Sequence, residues 1–174
     1  MNTPSSGLVL SCRNFTPQIH KSCWLAPNAT VIGQVTMDED SNCWFNAVIR
    51  GDVSPISIGK RVNIQDGAVI HGTLDKSETI IDDDASIGHN AIVHGAHVQS
   101  HALVGMGSIV MDGAVVGKGA VIAAGAVVLE GTHVPAGSLW AGVPAQERGR
   151  VSESLKQSLS ETSNRYVRYS HWFK

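Results

Sequence analysis

The chain has 174 residues, 43% hydrophobic and only 5% aromatic, with a formal net charge of -2. That length suits one domain with a terminal extension, and its abundant Gly, Ala, Val and Ile predict a thin interior of small and β-branched side chains. Scattered basic residues exclude an electrostatic footprint for nucleic acid, and no stretch approaches the ~18 consecutive apolar residues of a membrane span.

Residues 1 to 12 are expected to form a frayed or edge segment. Gly7 to Cys12 resembles a lipoprotein cleavage site only faintly, because no basic region precedes it and its apolar run is short. Cys12, Cys23 and Cys43 are odd in number and lack a CxxC pair. They are expected to be reduced, partly buried small residues, which fits a cytoplasmic protein.

From about residue 13 to 144 the apolar rhythm has a period of six. Leu25, Val31, Met37 and Cys43 lead units whose fifth residues are Ala29, Val35, Ser41 and Ala47, and Ile49 leads the next. The register resumes at Ile58, Ile64 and Ile70 after an irregular stretch near 52 to 57, and again at Ile81, Ile87 and Val93 after a break at 72 to 80. A one-residue slip leads to Val98, and the cleanest run follows, from Val104 through Val110, Val116, Ile122 and Val128 to Val134. These units make 18 in all, or six three-sided coils.

A period of six fits neither an amphipathic helix nor a plain alternating strand. It fits a short strand plus a corner, with one side chain per unit pointing inward and coils stacked at ~4.8 Å. The predicted fold is an all-β solenoid, a parallel β-helix of hexapeptide repeats. From 145 to 174 the rhythm gives way to Val151, Leu155, Leu159, Thr162, Tyr166, Tyr169 and Phe173 at helical spacing. That segment is expected to be a C-terminal α-helix packing on the prism or on a neighbouring copy, with Pro144 and Ser152 near its start.

Three histidines stand out on this scaffold. His89 and His94 are five residues apart, and His71 lies 18 residues before His89, which is three six-residue units. Zinc in a catalytic site takes three protein ligands and leaves one position open, with neutral imidazole a common donor. Five extended residues span up to ~16 Å, too far for His89 and His94 of one chain to reach one ion. The spacing therefore predicts a metal shared between copies, which closed symmetry repeats without new sequence.

Arg50-Gly51-Asp52, Asn63-Ile64-Gln65-Asp66-Gly67, Val69-Ile70-His71-Gly72, Ile87-Gly88-His89-Asn90 and Val93-His94-Gly95 together resemble the γ-class carbonic anhydrases. The closing Asn164 to Phe173 is similar to the short bacterial branch of that family. The resemblance covers roughly residues 13 to 173 and implies a left-handed β-helix homotrimer hydrating CO2 to bicarbonate through a metal-bound hydroxide. It implies Zn2+, with Fe2+ or Co2+ as alternatives, held by His71 and His94 of one subunit and His89 of the next. Arg50 and Asp52, with Asp66 nearby, match an intersubunit ion-pair network. Gln65 matches the residue that orients the attacking water, and Asn63 lies beside it as a second catalytic candidate.

The chain departs from the archetype where that enzyme carries proton-shuttle glutamates. Val53 follows Asp52, Gly72-Thr73-Leu74 follows His71, and the acidic loop is missing, leaving Asp75 or Glu78 as stand-ins. The resemblance thus implies metal binding more directly than fast turnover. Two other readings remain open, a metal-dependent hydrolase or transferase acting on a CoA thioester and a non-catalytic trimer stabilised by its metal.

Overall fold

The computed structural model describes residues 7–173. Residues 1–6 of the N-terminal segment, and residue 174 at the far end, lie outside the described residues. The chain winds into a parallel β-solenoid of about seven turns followed by one helix. Most turns contribute one short rung to each of three faces, while Thr30–Met37 and Val48–Ile58 each run on from the first face to the second. The first face carries Val69–His71, Ile92–His94, Ile109–Val110 and Val127–Val128, and the second carries Thr79–Ile81, His97–Val98, Val115–Val116 and His133–Val134. The third carries Trp24–Leu25, Asn42–Cys43, Asn63–Ile64, Ser86–Ile87, Leu103–Val104 and Val121–Ile122.

The sequence period is visible directly in the packing. Ile49, Ile70, Val93, Val110 and Val128 point inward on the first face and are fully buried, while Ala47, Ala68, Ala91 and Ser108 fill the narrow corners. Register is parallel throughout the stack, so Ile70 sits under Val93 and Ile64 under Ile87. Corners take left-handed backbone, which glycine adopts without cost. One corner column reads Asp40, Arg61, Asp84, His101, Gly119 and Gly137, all with positive φ.

The coil count from sequence is one short, because both ends of the prism depart from the six-residue pattern. Leu8–Leu10 pairs in parallel with 30–32 and starts the first face. Ser138–Ala141 closes the third face, with Trp140 above Ile122. The stretch at 52 to 57 is no loop either, since Val48–Ile58 is one continuous strand that turns the corner with a register shift opposite Gly33 to Val35. Residues 146–150, expected within the helix, form the strand Gln146–Arg150 instead. It runs antiparallel to Ser138–Ala141 and covers that edge, and Gly149 holds φ at +126, outside any helix.

The helix α1, Glu153–Ser170, starts at Ser152, whose Oγ accepts a hydrogen bond from the Leu155 amide, and carries Glu153 in its first turn and Arg168 in its last. It lies over the Asn42–Cys43 and Asn63–Ile64 rungs of its own prism. Its buried residues are Ser163 and Ser170, because the third face turns the polar Asn42, Asn63 and Ser86 outward beneath it. Phe173 then anchors the chain end against Trp24, Phe45 and Trp44, at ring separations of 5.3, 5.6 and 6.0 Å.

Candidate metal centre

Register brings two of the three histidines together. His71 and His94 end adjacent rungs of the first face and are paired across them. His71 Nδ1 stands 3.2 Å from His94 Nε2. Two nitrogens each ~2.0 to 2.1 Å from one tetrahedral ion stand about 3.3 Å apart, so the pair has the separation that a shared ion requires.

The remaining nitrogen of each ring meets a carboxylate. His71 Nε2 is 2.9 Å from Asp52 Oδ1, and His94 Nδ1 is 2.9 Å from Asp112 Oδ2. Such partners fix the tautomer and orientation of a metal-binding imidazole. Arg50 Nη1 donates to the other oxygen of Asp52. Burial works against the charge on Asp52, but the bonds from His71 and Arg50 outweigh it and hold its carboxyl below the usual range. At Asp112 burial is likewise outweighed, here by hydrogen bonds from Ser77, His94 and Thr73.

The third histidine stands elsewhere. Ser86 pairs with Asn63 and Ile87 with Ile64, and carrying that register forward sets Gly88 beside Gln65 and His89 beside Asp66. His89 Nδ1 is 2.8 Å from Asp66 Oδ2. These residues occupy the turn that enters the first face, whereas His71 and His94 stand where the chain leaves it. Among the described residues, no group of three or more His, Cys, Asp or Glu in the single chain is placed to hold a metal ion.

Gln65 belongs to the His89 edge. Its Nε2 donates to Asn63 Oδ1 at 2.9 Å, and Asn63 Nδ2 donates to Ser86 Oγ at 2.8 Å. That relay fixes the amide and turns the Gln65 carbonyl oxygen away from Asn63. Beside it, Trp44, Asp66, His89, Tyr166 and Trp172 line a cleft of about 220 Å³. Tyr166 of α1 thus reaches the His89 edge, with burial pushing its phenol up, while Asn164 is exposed.

Asp112 was missed by sequence reasoning, together with the hydroxyls of Ser77 and Thr79. A signal for Asp112 was available, since it lies 18 residues after His94, the same three-unit interval that separates His71 from His89. Its value depends on the one-residue slip, which places Gly95 rather than a side chain next to it.

The first face around the histidine pair is apolar and uncovered. Val48, Val69, Ile92, Ile109 and Val127 turn outward and are partly exposed, and Met111 and Leu129 continue the His71–His94 column at 36% and 50% exposure. Exposed apolar patches of this kind are common at association surfaces.

A hexapeptide-repeat β-solenoid with paired imidazoles on an apolar face defines the class. The chain matches no protein-family model. It is 43% identical over 159 residues to a carbonic anhydrase of Geobacillus kaustophilus, covering 91% of this chain and 87% of that relative. It is 49% identical over 152 residues to a probable carbonic anhydrase of Methanocaldococcus jannaschii, covering 87% and 95%. Gamma carbonic anhydrase 2 of Arabidopsis thaliana is 36% identical, and the chain spans 56% of that longer relative. Among solved structures, a hexapeptide transferase family protein from Anaplasma phagocytophilum superposes with a TM-score of 0.92 at 34% identity, covering 96% of this chain and 98% of that one. A Bacillus cereus protein provisionally described as an acetyltransferase gives 0.93 at 36%, covering 96% of each chain. The chain belongs to the γ-class carbonic anhydrase family.

Proposed function

We propose that the protein is a metal-dependent carbonic anhydrase that hydrates CO2 to bicarbonate at sites shared between the subunits of a homotrimer. The observation that carries this reading is the His71–His94 pair, with facing nitrogens 3.2 Å apart and a carboxylate behind each ring. His89 completes the ligand set from a neighbouring subunit, and the uncovered apolar face supplies the contact. Zn2+ is the ion that three neutral imidazoles suit best, with Fe2+ or Co2+ able to occupy the same donors. Bound there, such an ion supplies Lewis-acid activation of water near neutral pH, the nucleophile that CO2 needs.

The chain's own residues then have separable tasks. His71, His94 and His89 bind. Asp52 and Asp66 orient the rings of His71 and His89, and Arg50 holds Asp52 in place. Because Gln65 shares an edge with His89, it reaches the site from the subunit that donates His89. There its carbonyl oxygen accepts a hydrogen bond from the attacking water and aligns it.

The test is stopped-flow CO2 hydration by metal-loaded protein against His89→Ala. Hydration well above that control is expected. Equal rates sink the reading and turn attention to CoA thioesters, to which the transferase-described structural relatives point, or to a metal that only stabilises the trimer.

A further inference from the structure

The loop that leaves the prism after His71 and returns at Thr79 is stitched to the metal-ligand strands. Thr79 is fully buried, and its Oγ1 donates to the His71 carbonyl at 2.6 Å while accepting from the Gly95 amide at 3.1 Å. One hydroxyl therefore ties together the backbones that carry both histidines. Two residues earlier, Ser77 Oγ donates to Asp112 Oδ1 at 2.8 Å, and the other oxygen of Asp112 holds His94.

Gly95 makes that approach feasible. A Cβ at this position would stand 2.1 Å from Ser77 Oγ and 2.3 Å from Asp112 Oδ1, so any other residue would push the loop and the carboxylate away from His94. At the tip, Lys76 Nζ pairs with Glu130 at 2.8 Å and adds an exposed contact one coil further on.

We propose that Asp112 and Ser77 are positioning residues of the metal centre, the loop hydroxyl orienting the carboxylate and the carboxylate holding His94 with Nε2 presented to the ion. This rests on the metal-binding reading above. Removing such an outer partner weakens metal binding by about 10- to 100-fold.

The experiment is a competitive chelator titration of zinc on the full-length protein and on Asp112→Ala, Asp112→Asn and Ser77→Ala, with melting of each metal-free protein as the folding control. Asp112→Ala should bind zinc about 10- to 100-fold more weakly. Asp112→Asn keeps an acceptor for the Nδ1 proton and should lose less, and Ser77→Ala, which leaves the carboxylate bonded to His94, should also lose less than Asp112→Ala. In cobalt-loaded protein the visible bands should shift in both Asp112 variants, which a purely structural role would not produce. Should Asp112→Ala fail to fold, the other two variants decide. Wild-type zinc binding with unchanged variant affinities and unchanged cobalt spectra overturns this inference alone; a wild-type protein that binds no zinc overturns it together with the carbonic anhydrase reading.

Discussion

His71, His89 and His94 each use one ring nitrogen on a carboxylate, which leaves the other available as a ligand. Gln65 differs, because its amide nitrogen is spent on Asn63 and its oxygen is the useful end. Gln65→Ala should therefore cost about 10- to 100-fold in CO2 hydration while leaving metal content intact, as paired stopped-flow and metal analysis would show. Loss of metal in that variant would instead make Gln65 part of the binding shell. At this scale the histidines were legible, since imidazoles on a six-residue rhythm are conspicuous in a chain with few aromatics. Asp112 offered only its 18-residue interval from His94, which by itself does not show that the two side chains meet. What marks it is its approach over Gly95, a contact made by folding rather than by sequence neighbours.

Among the elements, α1 follows its apolar stripe in part. Tyr166 and Tyr169 of the stripe pack against the core, while Leu155 and Leu159 stay partly exposed and the buried residues of the helix are Ser163 and Ser170, because the third face presents Asn42, Asn63 and Ser86. Asp84 strengthens this seam. It receives two hydrogen bonds from Arg61, each 2.7 Å, and another from Ser163. Burial of Asp84 opposes its charge, but these donors outweigh it and depress its pKa. A depressed folded-state pKa stabilises the fold above the unfolded value near 3.9 and is lost as pH falls through the folded one. Asp84→Asn should cost about 1 to 2 kcal/mol near neutral pH, trimmed by the partial exposure of Arg61. The gap from wild type should narrow in urea unfolding at pH 3. An equal gap at both pH values would remove the ion pair from the account. The strand Gln146–Arg150 was equally hidden, since its partner strand is formed only when the last turn closes.

For the whole molecule, the repeat dictates most of the architecture, and its period of six was readable because inward side chains recur without helical spacing. Where the pattern frays, at Leu8–Leu10 and Ser138–Ala141, the turns escaped counting although the backbone pairing continues. The same scaffold separates His89 from the His71–His94 pair by the width of one face, so the proposed three-histidine site requires assembly. Mixing two variants tests this most directly. His71→Ala and His89→Ala homotrimers each lack a ligand at every site. A mixed trimer restores an intact site wherever a His71→Ala subunit lends His89 to a His89→Ala subunit, about a quarter of all sites under random assortment. Unfolding and refolding the two together should recover roughly that share of wild-type bound zinc and hydration rate. Refolded mixtures that form trimers but bind no more zinc than either variant alone would contradict a metal centre shared between subunits.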